Sequence, residues 1–225
     1  MREQLPGAQT VARVTALLDL FSPERTSLSV AETAALLALP RSTVHRLLAA
    51  LRLSGYLRQD ERTARYHIGA RTLYLARLYD PLRLVGDVAR THLRQLSDAI
   101  GESTALFVRE GDYRYAIDAN ECDHKLRIVI DVGERLPLGR GAAGHVLRMS
   151  AAQARGARVI VTRGERVSNA WGIASPVFDR AGELIGALEA HGPLDRITPA
   201  RERRYAALVS AAAAKLTRDI GGAAS

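Results

Sequence analysis

Apolar residues recur along this chain with two different periods, and the change from one to the other divides it. Through the first hundred residues the spacing is helical. Val14, Leu17, Leu18 and Phe21 mark one stripe, and Val44, Leu47, Leu48 and Leu51 another at i, i+3, i+4 and i+7. The first predicts a helix over residues 10–21, which Ser22-Pro23 ends. Ser29-Val30-Ala31-Glu32 has capping-box spacing: the serine hydroxyl accepts from the Glu32 amide and the glutamate reaches back to the Ser29 amide, which starts a helix over residues 30–37. Ala38-Leu39-Pro40 stops it, and Pro40 suits the first turn of a third helix. Residues 26–29 fit either a short strand or a cap. After Gly55, a C-cap, Tyr56-Leu57-Arg58 and Arg65-Tyr66-His67-Ile68 alternate like strands around a polar turn. Three helices and a hairpin predict a winged helix-turn-helix over residues 8–69.

The buried stripe of the third helix leaves Arg41, Ser42, Thr43, His45, Arg46, Ala49 and Arg52 on its other face. Hydroxyls and arginines near a helix N-terminus suit phosphate contact and base-edge reading in the major groove. Arg62 and Arg65 flank the hairpin tip as further candidates for backbone or minor-groove contact. From Arg41 to Arg77 eight arginines face two acids, so this stretch holds +6 of the chain's net +8. Such a concentration predicts a double-stranded DNA partner. A solvated basic face on a protein-binding winged helix is the plainer alternative.

Helical periodicity continues over residues 70–80 and, beyond Pro81, over 82–100, where Leu82, Val85, Ala89, Leu93 and Leu96 share a side; residues 70–100 are the expected linker. From Glu102 the period becomes two. Residues 104–109, 113–120 and 126–131 read as an antiparallel meander, 158–162 as a short strand, and 171–178 pairs with 183–190 across Asp179-Arg180-Ala181-Gly182. Residues 139–149 form a helix, and Thr198-Pro199 opens a last one that Gly221-Gly222 closes. The expected fold class is α+β, with a second domain over residues 101–222. Residues 1–7 carry no periodicity and are expected to be disordered.

At this point two groups of motifs coincide. LSVAETAALLALPRSTVHRLLAALRLSGYLRQDERTARYHIGARTLYLA resembles the DNA-binding half of IclR-type bacterial transcriptional regulators. RLPLGRGAAGHVLRMS and GIASPVFDRAGELIGALEAHGP resemble segments of the same family's C-terminal domain, and the likeness runs from about Thr10 to Ile220. It implies a GAF-like effector domain, a linker helix that takes part in dimer contacts, and a homodimer or homotetramer on an operator, as repressor or activator. It also places a small-molecule effector, of the carboxylate or aromatic-acid class, between the glycine turn and the sheet. Leu106, Asp118, Ala143, Gly144, His145, Glu189 and His191 are the candidate contacts.

That turn, Gly139-Arg140-Gly141-Ala142-Ala143-Gly144, also matches G-x-G-x-x-G, and the strand after the next helix ends at Arg163, where an NADP enzyme could hold its 2′-phosphate. The context is against a dinucleotide site, because Leu136-Pro137-Leu138 is short and broken by proline and the upstream strands form a meander. Backbone N–H groups at Ala143, Gly144 and His145 favour a smaller anion, while the glycines alone could serve only to make a tight turn. Two departures from the family pattern bear on this site. Residues 150–169 are compressed, which removes part of a pocket wall, and Glu189 and His191 stand where small polar residues are usual. A carboxylate there repels an acidic effector unless His191 or an arginine compensates. The domain then takes a different effector or none, which leaves a ligand-independent winged-helix protein as the alternative function.

Other chemistry is thinly represented. The one cysteine, Cys122, excludes an intramolecular disulfide, and Cys122-Asp123-His124 lacks the fourth ligand of a tetrahedral metal set. There is no G-x-S-x-G, H-E-x-x-H, Walker loop or C-x-x-C, and Asp118 with Glu121 reads as a solvated strand end. No catalysis and no cofactor are expected. The N-terminus lacks the apolar core of a signal peptide and no apolar run approaches bilayer length, so a cytoplasmic protein without a membrane partner is expected.

Overall fold

The computed structural model describes residues 7–79, 81–157 and 159–221, and only the backbone of 81–87. Expectations for residues 1–6 and for Gly222, and the contribution of Leu82 and Val85 to the linker stripe, fall outside the described residues. The chain divides into two compact units at Tyr79 and Asp80.

The first unit contains α1 (Ala8–Leu18), α2 (Val30–Leu37) and α3 (Arg41–Leu53), a three-stranded sheet, and α4 (Arg71–Leu78). The capping box forms: Ser29 Oγ accepts from the Glu32 amide at 3.2 Å, and the Glu32 carboxylate accepts from the Ser29 amide at 2.7 Å. The turn between α2 and α3 is made at Ala38, which takes a left-handed φ of 51°, with Leu39 and Pro40 leading into α3. Val44, Leu48 and Leu51 are buried, with Leu47 beside them, against Leu17, Ala34, Leu57 and Tyr66. Residues 26–29 resolve as both expected alternatives at once. Ser27–Leu28 is a strand, β1, that pairs with β3 (Tyr66–Ile68), and Ser29 is the cap. β3 also pairs with β2 (Leu57–Gln59), so the wing is a three-stranded antiparallel sheet in the order β1-β3-β2.

The second unit is built on one six-stranded antiparallel sheet, in the order β6-β5-β4-β9-β8-β7. Its strands are β4 (Ser103–Glu110), β5 (Tyr113–Asn120), β6 (Arg135–Pro137), β7 (Ile160–Arg163), β8 (Ala170–Phe178) and β9 (Leu184–Pro193). The expected hairpin of residues 171–178 with 183–190 is β8 with β9. One face carries α6 (Ala142–Arg148), whose Ala142, Ala143, Val146 and Leu147 pack on Ala105, Phe107, Ala116, Ala174 and Ala187. The other face carries α5 (Pro81–Ile100) and α8 (Pro199–Ile220). There the Trp171 and Tyr205 rings lie 5.7 Å apart, and the Tyr205 hydroxyl donates to the Ile100 carbonyl at 2.9 Å. A short α7 (Ala151–Ala157) leads to β7, so the compressed stretch keeps a helix and a strand.

Residues 126–131 correct the expected meander. They form no strand, and Leu126 and Val129 are exposed. The partner of β5 is instead β6, which ends at Pro137; proline is tolerated there because β6 is an edge strand. Glu102 anchors the irregular stretch. It is buried, accepts two bonds from Arg196, at 2.7 Å from Nε and 2.6 Å from the terminal nitrogen, and Arg196 also donates to the Leu126 carbonyl at 2.9 Å. This pairing holds Arg196 above the ordinary arginine pKa. Replacing Glu102 with Ala leaves a half-buried guanidinium without its carboxylate, so urea denaturation of the E102A chain is expected to show a loss of about 1 to 3 kcal/mol.

Candidate nucleic-acid interface and polar cavity

The exposed face of α3 is what its own core leaves over. With Val44, Leu48 and Leu51 turned inward, the 3.6-residue repeat places Arg41, Ser42, His45, Arg46 and Arg52 in solvent and Thr43 half-buried at the margin. Among the described residues Arg41, Arg46 and Arg52 make no ion pair and no side-chain hydrogen bond, so their charge is uncompensated at the surface. At the wing, Asp60 Oδ1 accepts the Arg62 and Thr63 amides at 2.9 and 2.8 Å, and the left-handed Ala64, at φ 55°, completes the reversal. These bonds hold the Asp60 carboxyl below its usual range, the Thr63 amide first among them. Arg62 is exposed at the tip.

Arg65 sits elsewhere. Its Nε donates to Ser27 Oγ at 2.8 Å, and a terminal nitrogen meets the Glu32 carboxylate at 2.8 Å. Glu32 thus caps α2 and pins the wing to it, and the half-exposed Arg65 guanidinium is engaged by Ser27 and Glu32.

In the second unit the sheet separates the candidate effector contacts. Ala143, Gly144, Glu189 and His191 lie on the α6 side, since Glu189 pairs with Ala105 and Ala174, both packed under α6. Leu106 and Asp118 lie on the opposite side, where Arg90 of α5 approaches Asp118 at 3.5 Å. The cause is a bulge: Leu106 pairs with Asp118 but Phe107 pairs with Ala116, so the alternation along β5 reverses between Ala116 and Asp118. His145 is half-exposed and its Nε2 is 2.7 Å from Glu165, which also accepts the Gly141 amide at 2.9 Å.

Arg114, absent from the sequence-based candidates, is central instead. It is 1% exposed, stacks on Phe107 at 5.2 Å, and donates to the carbonyls of Pro137 and Arg140. The glycine turn is shaped around it. Gly141 takes φ 79°, and a Cβ there would stand 3.0 Å from the guanidinium. A Cβ on Gly144 would come within 2.7 Å of the Leu138 carbonyl oxygen and closer still to Arg114. The glycines therefore make room for a buried cation. All strands of the sheet are antiparallel, so the βαβ frame of a dinucleotide site is missing among the described residues. Alternation alone carried the signal for Arg114, since it puts this residue on the face of Ala116, two positions on.

Beside Arg114, Glu189 is 4% exposed and its Oε2 accepts the Ala143 amide at 2.8 Å. Burial raises its pKa, against the opposing pull of Arg114 and of that amide. Burial likewise lowers the pKa of Arg114, and Glu189 opposes it. His191 is 3% exposed and its Nδ1 stands 3.8 Å from Glu189 Oε1, too far for a hydrogen bond. Burial, with Arg166 adding to it, lowers its pKa to about 3, so the ring is neutral and this is no ion pair. Arg114, Glu189, His191, Thr162, Glu165 and Arg166 line a cavity of about 20 Å³, room for roughly one water. Arg114 Nε has no hydrogen-bond partner, and the ring of His191 has no side-chain partner, with only the Ile128 backbone near it.

Elsewhere, no cluster of three metal-binding side chains occurs among the described residues; Cys122 is buried with its sulfur 3.5 Å from Ser103 Oγ. No described helix is long and apolar enough to cross a membrane.

Two family models match the chain: the IclR helix-turn-helix domain over residues 10–61 and the bacterial transcriptional regulator IclR C-terminal domain over residues 83–160. The HTH-type transcriptional repressor AllR of Klebsiella pneumoniae is 27% identical, over 96% of this chain and 91% of its own length, and that of Escherichia coli K12 is 28% identical over the same shares. Among solved structures, an IclR homologue from Microbacterium hydrocarbonoxydans, complexed with 4-hydroxybenzoate, superposes with a TM-score of 0.76 at 24% identity, over 93% of this chain and 98% of that one. The Thermotoga maritima IclR gives 0.70 at 17% identity, over 95% and 99%.

The buried histidine sets a pH dependence. An unfolded His191 takes a proton near pH 6.5 and the folded one only near 3, so the unfolded chain binds more protons between those values and stability falls as the pH drops through that window. The raised Glu189 carboxyl acts in the opposite sense, so the difference between proteins isolates the histidine. The thermal midpoint of H191Q is expected to fall less on acidification than that of the parent chain.

Proposed function

The chain belongs to the IclR family of bacterial transcriptional regulators, and on that premise we propose that it is a sequence-specific DNA-binding regulator, not an enzyme, whose C-terminal domain answers to a small-molecule effector. The observation that carries the first half is the face of α3: Arg41, Ser42, His45, Arg46 and Arg52 exposed on a helix whose opposite face is locked into a core. In this reading those residues, with Thr43 at the margin, enter the major groove, and Arg62 meets the adjacent backbone or minor groove. Arg65 contributes through the wing that it holds. The repressor relatives support repression. Exposed Leu73, Tyr74, Leu75 and Leu78 on α4 support a homo-oligomer, as two-fold operators require.

A small molecule as effector is supported by the fold neighbour complexed with 4-hydroxybenzoate, and the polar cavity under α6 is the place for it. A second reading, a ligand-independent regulator, is favoured by the cavity's small volume of about 20 Å³. A thermal-shift series with small acids, amides and amines, repeated with DNA binding as readout, separates the two.

For the DNA face the test is R46A. If Arg46 reads a guanine, binding to the DNA upstream of the protein's own gene should weaken by about 1 to 3 kcal/mol, measured by fluorescence anisotropy, with the circular dichroism spectrum unchanged. Unaltered affinity and footprint would remove Arg46 from the interface.

A further inference from the structure

We propose that Glu189 is a tethered anion in the effector seat: its carboxylate occupies the position beside Arg114 and the Ala143 amide, and so keeps free carboxylic acids out of the native cavity. The inference rests on reading this domain as an effector domain. Four observations carry it. Glu189 reaches across from the sheet to accept the Ala143 amide at 2.8 Å, which is the bond that an acid ligand would make there. The nearest buried cation, Arg114, spends a terminal nitrogen on two backbone carbonyls and is balanced in charge chiefly by Glu189. What is left after Glu189 is in place is about 20 Å³, room for roughly one water. Finally, His191, fully desolvated, lines that remnant with no side-chain partner and only the Ile128 backbone near its ring, and Arg114 Nε is unpartnered, so the enclosure is built for polar contents that Glu189 only partly supplies.

The electrostatics decide which ligands remain. A second carboxylate beside a buried Glu189 meets like charge, with Arg114 already balanced by Glu189 and with Arg166 acting on Glu189 too, in a medium where screening is weak. A neutral ligand that donates hydrogen bonds meets no such repulsion, and none from Arg114 and Arg166 either: it can donate to Glu189 Oε1 and to the neutral His191. The electrostatics therefore favour a small neutral hydrogen-bond donor, an amide or urea, over a free acid as the native effector class.

The geometry permits a direct test, because truncating Glu189 to Ala deletes one methylene and one carboxylate, the atoms of acetate. The full chain, E189A and the isosteric E189Q are to be melted in sodium acetate and in sodium chloride of equal ionic strength at neutral pH. We expect E189A to melt lower than the parent in chloride and to recover by several degrees in acetate, with saturation. The parent and E189Q should respond equally to both salts, and benzoate should fail to rescue. An E189A midpoint that is the same in both salts, or a parent that rises as E189A does, overturns the proposal. Should E189A not fold in chloride, refolding from urea serves instead: recovery in acetate alone supports the tethered anion, and failure in both salts contradicts it. DNA affinity, measured separately, distinguishes this from the effector reading. If no amide or urea alters DNA binding while acetate still rescues E189A, the switch fails and the tethered anion stands.

Discussion

A guanidinium and a carboxylate taken out of water beneath α6 set the constraint on which the second unit turns. Neither charge can be buried alone without a cost of several kcal/mol. Arg114 is satisfied by carbonyls of the chain that wraps it, Glu189 by the Ala143 amide, and each by the other's field. The requirement reaches outward. The turn after β6 must approach the guanidinium closely, so Gly141 and Gly144 carry no Cβ; α6 must present its first amides to β9; and β6 must hold the Pro137 carbonyl in reach. A motif that resembles a phosphate cradle is thereby a cradle for a side chain of the protein itself.

The first unit rests on a similar economy of few groups with several duties. Glu32 closes the capping box of α2 and pairs with Arg65, which also reaches Ser27 of β1. Helix start, wing and edge strand are thus tied at one carboxylate, while the core stripe of α3 fixes which of its residues face solvent. The surface offered to DNA is a consequence of that packing.

The helices and the principal hairpin were legible because their cues are local. The Ser29–Glu32 spacing, the Val44–Leu51 stripe, Thr198-Pro199 and the turn at residues 179–182 each specify structure within a few residues. What escaped depended on register and partners. Residues 126–131 alternate but have no strand to pair with, so Leu126 and Val129 stay exposed. The short strand ending in Pro137 looked broken because nothing local marks it as an edge. Asp118 does not share the face of Ala143 and Glu189, because a bulge visible only in the pairing turns it toward Arg90. The partners of Arg65 are not visible locally, because its acceptors lie 33 and 38 residues away in sequence. Nothing local marks Arg114 as buried, since a charge in a strand is ordinarily solvated. Of the effector candidates, Ala143, Gly144, Glu189 and His191 do share one face, and the glutamate that the sequence marked as unusual is the group around which the cavity closes.

The central claim is that α3 reads a defined DNA sequence. It is tested most directly by selection of the full chain against random duplex DNA at moderate salt, followed by affinity for the enriched sequence as salt is varied. The account predicts convergence on one motif, bound more tightly than scrambled duplex, with log affinity falling steeply against log salt as phosphate contacts release counterions. No enrichment, with the same affinity for every duplex, would contradict it.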